Sequence, residues 1–163
     1  MIPLTTIACR IAKQCSNDEY KFFFEKYGDD LKNEYHIPFG DDLSYWGTDI
    51  NTYFYKSTDN KGNYKAPYWT KGDFNDDGII DRCYLLFHNS RNDVNLFVFL
   101  STKDTMYRII KVSSANKLMG VSTVKVTRKG CSVDAIDLFE FEGHGKTFVW
   151  HRDRNLFREV GGF

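Results

Sequence analysis

The sequence predicts an α+β domain, mostly β, with an N-terminal helix packed on an antiparallel sheet or sandwich of about seven to nine strands. Two observations carry this. Aromatic residues and one leucine recur at helical spacing near the start, as Tyr20, Phe23, Phe24, Tyr27, Leu31 and Tyr35. Beyond His36 and Pro38 the texture changes to short runs of β-branched and aromatic residues divided by polar turns.

The helix is expected over residues 16–35. Ser16 and Glu19 form an S-x-x-E capping box, in which each side chain satisfies a free N–H at the helix start. Gly28 interrupts the pattern and marks a bend or stop. The aromatic stripe reads as core packing rather than a ligand face. Strands are expected at Ile50–Ser57, Tyr84–His88, Asn95–Ser101, Met106–Val112, Val121–Thr127, Ala135–Phe141, Thr147–His151 and Leu156–Val160. Turn clusters at 39–42, 59–63, 90–93, 128–130, 142–145 and 152–155 divide them into a meander. Leu96, Val98 and Leu100 alternate with Phe97 and Phe99, so that strand is apolar on both faces and belongs in the middle of a sheet.

With 163 residues the chain suits one domain, 1–163, made of a leading segment 1–15, the helix 16–35 and the β-meander 45–163. Lys plus Arg equals Asp plus Glu at 22 each, and basic residues never cluster, which argues against a nucleic-acid partner. No apolar run is long enough to span a membrane. Residues 1–15 are mildly apolar without the basic leader of a signal peptide, so no signal peptide is visible in this chain. Cys9, Cys15, Cys83 and Cys131 contain no C-x-x-C, which argues against a zinc ribbon or redox motif. Cys9 and Cys15 are spaced to bridge each other or tie to the body, whereas Cys83 and Cys131 read as buried thiols on strands.

The most informative stretch is GDFNDDGIID, residues 72–81. Asp73, Asn75 and Asp77 place side-chain oxygens at alternate positions, Gly78 allows a sharp turn, and Asp81 closes the run. A hard cation such as Ca²⁺ takes six to eight oxygens, which such a loop can deliver as alternate side chains, one backbone carbonyl from Ile79 and a last carboxylate. Asp76 lies out of phase and is expected to face solvent. An EF-hand would need Glu where Tyr84 stands, followed by a helix rather than Cys83-Tyr84-Leu85-Leu86-Phe87. A plain polar turn would explain Asp, Asn and Gly, but three carboxylates in phase repel without a cation.

Asp-x-Asn-x-Asp-Gly-x-x-Asp followed by a strand resembles the calcium loop of FG-GAP and VCBS repeats, the integrin-type β-propeller loop. The resemblance implies Ca²⁺ ligation by the side chains of Asp73, Asn75, Asp77 and Asp81 and by the carbonyl of Ile79. It covers about fifteen residues in a single copy, so it implies one such loop in a small β-domain and not a propeller. The segment Ile136–Val160, with Phe148-Val149-Trp150, resembles the tail of bacterial extracytoplasmic proteins carrying one loop of this kind, which implies a periplasmic or secreted location.

Catalytic signatures are sparse. G-x-S-x-G, H-E-x-x-H and glycine-rich phosphate loops are absent. Cys131 with His144 or His151 offers a thiol–imidazole pair, but His144 between glycines reads as a turn residue. The expected function is therefore a non-enzymatic, extracytoplasmic, calcium-binding protein-interaction domain, in its most concrete form an inhibitor or immunity protein against a secreted bacterial toxin or hydrolase. Acidic turns at Gly28-Asp29-Asp30 and Gly40-Asp41-Asp42 would face a basic partner site. The alternative is a carbohydrate-binding module that stacks glycans on Trp46, Trp69, Trp150, Tyr45, Tyr64 and Tyr68.

Overall fold

The structure is a computed structural model that describes residues 22–37, 68–91, 93–104, 106–115, 119–140 and 145–161. The capping box at Ser16, the strand expected at Ile50–Ser57, the turns at 39–42 and 59–63, Cys9, Cys15 and His144 lie outside these residues.

Two helical segments come first among the described residues. Helix α1 covers residues 22–27, and α2 is Asp29–Lys32. They meet at Gly28, whose N–H donates to the Phe24 carbonyl at 2.8 Å. The described helix therefore breaks at the glycine and ends before residue 35. Tyr35 is a strand residue instead, since β1 (Tyr35–His36) pairs with a later strand.

The first sheet is antiparallel. It contains β1, β2 (Trp69–Gly72), β3 (Asp81–His88), β4 (Val94–Ser101) and β5 (Tyr107–Ala115). Strand β3 pairs with β4 on one side; on the other, β2 covers its first half and β1 its last two residues. Every residue of β4 is buried, so the strand expected to be central is central. The second sheet has the order β6 (Met119–Arg128), β7 (Cys131–Glu140), β8 (Lys146–His151) and β9 (Leu156–Val160). Its turns follow the sequence signals. Lys129 and Gly130 both have positive φ, 49° and 81°, as a two-residue hairpin matched to strand twist requires. A 3-10 turn at Arg152–Arg154 and left-handed Asn155, φ 54°, join β8 to β9.

One core joins these elements. Phe23 and Phe24 lower the aromatic face of α1 onto the first sheet, with Phe23 within 6 Å of the rings of Tyr84, Phe99 and Tyr107. Each such buried ring contributes about 2 kcal/mol of apolar burial. Val121, Ile136, Leu138, Phe148 and Trp150 supply the second sheet's share. The sheets meet where β2 runs beside β6: the Thr70 and Thr123 hydroxyls lie 2.7 Å apart, and Thr123 also donates to the Lys71 carbonyl. Cys83 is a fully buried free thiol on β3, as expected for a thiol on an apolar strand. Cys131 is exposed, because the β6–β7 turn carries it beyond the core.

Candidate metal centre

The stretch 73–80 is a loop of bends between β2 and β3. It lies at the junction of the sheets. Phe74, 2% exposed, plugs into the core and fixes the base of the loop. Gly72 sits at a close approach: a Cβ there would lie 3.0 Å from both the Asp134 carboxylate and the Thr123 methyl group, so those side chains would have to give way. Gly78 is required by its φ of 84°, and Asp76, at 57°, takes a left-handed conformation that Asp tolerates.

The loop organises around its own carboxylates. Asp73 accepts the N–H of Asp77 at 3.0 Å on one oxygen and that of Gly78 at 2.8 Å on the other. Asp77 accepts from the Asn75 amide at 2.9 Å and from the Ile79 N–H at 2.8 Å. Asp81, fully buried, accepts from the Phe74 N–H at 3.0 Å and the Ser101 N–H at 2.8 Å. These bonds explain the turn in physical terms: Asp side chains replace the strand ladder as partners for backbone N–H groups.

Burial pushes the Asp81 carboxyl up to about 6 from 3.8. The hydrogen bonds from Ser101 and Phe74 oppose that rise, and the negative charges of Asp77 and Asp73 add to it. The three carboxylates expected to act together are thus close enough to repel. The Asn75 side-chain oxygen is shielded from solvent and has no hydrogen-bond partner. Asp76 faces solvent, as expected from its phase. Among the described residues no three His, Cys, Asp or Glu side chains converge as a ready-made metal cage. A cation here would draw on the amide oxygen of Asn75 and the carbonyl of Ile79 as well as on carboxylates.

Two residues distant in sequence hold the loop, and local patterning gave no signal for either. Asp134 on β7 accepts the Asp73 N–H at 2.9 Å and pairs with Lys125. Arg152, at the β8–β9 turn, donates to the Asp76 carbonyl at 3.0 Å and lies 3.4 Å from its carboxylate.

The other expected sites fare differently. Trp150 and Tyr68 are buried in the core, and Trp69 is half-buried and packs against it. Trp46, Tyr45, Tyr64, Asp41 and Asp42 lie outside the described residues. Asp29 and Asp30 are exposed in the first turn of α2, where Asp29 pairs with Lys32 at 2.7 Å. No hydrogen bond joins Cys131 to His151 among the described residues. Among the same residues no helix is long and apolar enough to cross a membrane. Compared with protein-family models, with curated proteins and with solved structures, the chain gives no match.

Proposed function

We propose that the loop Asp73–Asp81 takes up one Ca²⁺ as a structural ion, and that the chain is a non-enzymatic, extracytoplasmic protein-binding domain whose surface the ion helps to hold. The observation that carries the metal reading is the pairing of opposites inside one loop. Asp81 is buried with Asp73 and Asp77 close enough to raise its proton affinity, while the Asn75 oxygen has no donor. A divalent cation answers both, by cancelling the repulsion and accepting the idle lone pair. Asp73, Asn75, Asp77 and Asp81 would hold it by their side chains and Ile79 by its carbonyl. The oxygen-only donor set favours Ca²⁺ over softer metals. The ion would supply rigidity rather than bond-making chemistry, clamping the β2–β3 connection to the second sheet that already contacts it.

The binding-domain reading rests on the sequence: neutral charge, absent nucleophile and zinc-protease motifs, and acidic turns. Exposed Asp29 and Asp30 support it as contacts for a basic partner surface such as that of a toxin or hydrolase. Calorimetric titration of chelator-stripped protein with Ca²⁺ tests the metal reading. Stoichiometric binding with a raised melting temperature is expected; no heat and no shift would leave only a polar turn. Charge reversal at Asp29 and Asp30 is expected to weaken any partner recovered from the native source.

A further inference from the structure

The second sheet carries a cavity away from the loop. Strand β8 pairs with β7 only across Lys146–Phe148. The β6–β7 hairpin runs on to Arg128 and Cys131, and the β8–β9 hairpin to His151 and Leu156. The two hairpins therefore part beyond Phe148. Arg128 spans the gap by donating to the Trp150 carbonyl at 2.7 Å, which braces the separation. A cavity of about 370 Å³ lies between them, within the range of small-molecule sites.

Alternation decides what lines it. Phe148 and Trp150 belong to the core, so Val149 and His151 face the other way. Arg158 lies opposite Val149 on the same face. The cavity has an apolar floor of Val126, Val149 and Val160 and a polar rim of Arg128, His151 and Arg158. Among the described residues Glu159 is the only acid that lines it, and its side chain points to the opposite face, where Lys146 pairs with it at 3.3 Å. Arg158 is exposed with no ion pair or hydrogen bond among the described residues. The His151 Nδ1 has no partner either. Two guanidinium groups that meet no carboxylate among the described residues, beside a valine floor, fit one chemistry: a planar anion attached to an apolar body.

We propose that this cavity binds a small carboxylate with a short aliphatic or aromatic tail, the carboxylate meeting Arg158 and Arg128 and the tail resting on the three valines. The test is methyl-resolved NMR titration with hexanoate, with hexanol as the neutral isostere and inorganic phosphate as the tailless anion. Hexanoate is expected to saturate at millimolar concentration and to shift the methyl signals of Val126, Val149 and Val160. Hexanol is expected to bind about ten-fold more weakly or worse, because it lacks the charge that the arginines meet. Arg158→Gln is expected to weaken hexanoate by a similar factor without lowering the melting temperature, since the exposed Arg158 side chain makes no ion pair or hydrogen bond among the described residues. Equal binding of hexanol, or valine methyls that do not move with hexanoate, would overturn the proposal on the wild-type protein alone. Phosphate binding as tightly as hexanoate would overturn the claim for an apolar body.

Discussion

Asp77 and Asp81 share one loop but face opposite surroundings. Asp77 is exposed, and its two hydrogen bonds compete with water; Asp81 is sealed, and removing its carboxylate orphans the Phe74 and Ser101 N–H groups. In chelator, Asp77→Ala is therefore expected to cost under about 1 kcal/mol and Asp81→Ala about 2 kcal/mol or more. With saturating Ca²⁺ the Asp77→Ala loss should grow, because the variant also loses a ligand. Urea denaturation of each variant in both conditions measures this, and equal Asp77→Ala losses with and without Ca²⁺ would contradict ligation. The carboxyl of Asp81 also sets a pH dependence. Its folded-state value of about 6 lies above 3.8, so the metal-free native state binds its proton more tightly than the unfolded chain does. Its penalty is absent below about 4, grows as pH rises toward 6 and is complete above, on the order of 2–3 kcal/mol. Metal-free wild type should lose stability relative to Asp81→Asn between pH 4 and 7; parallel pH profiles would show that the carboxyl is not perturbed. The alternating positions of these oxygens were legible from the sequence. That Asp81 is the buried hub was not, because its depth depends on Ser101 in the neighbouring strand.

Strands were easier to read than their partners. Val94–Ser101, apolar on both faces, lies inside the sheet because the pattern records burial directly. Lys129-Gly130 and Asn155 occupy turns because their backbone angles are local matters. Trp69–Gly72 was not anticipated as a strand: four residues with a lysine and a terminal glycine carry no alternation, and pairing with β3 makes the strand. Tyr35 illustrates the same override, since its helical spacing from Leu31 gives way to pairing with His88. The loop element itself depends on one backbone angle. Gly78→Ala forces a side chain into φ 84° in open space, where no clash confuses the result. A loss of about 1 kcal/mol is expected, read as a lower urea midpoint with an unchanged slope. An unaltered midpoint would mean that the turn adopts another conformation.

On the scale of the whole molecule, the two sheets are joined by a core whose members are scattered along the chain, and sequence composition announced that core without saying which rings it would take. The aromatics proposed as a glycan platform illustrate the ambiguity, since a buried Trp150 and a stacking Trp look alike in one dimension. The contacts from Asp134 and Arg152 to the loop have a consequence in time. They bridge separations of 61 and 76 residues. Contacts of that range close late in folding, after the local hairpins. The loop can reach its final shape only once the β8–β9 hairpin has docked, so an ion that favours that shape gains its hold after the rate-limiting step. Calcium should then lower the unfolding rate while leaving the refolding rate nearly unchanged, which stopped-flow refolding and unfolding with and without the ion would reveal. A refolding rate that climbs with calcium would place the loop in the nucleus instead. On the expected outcome the loop acts as a latch, and calcium protects only molecules that have already finished folding.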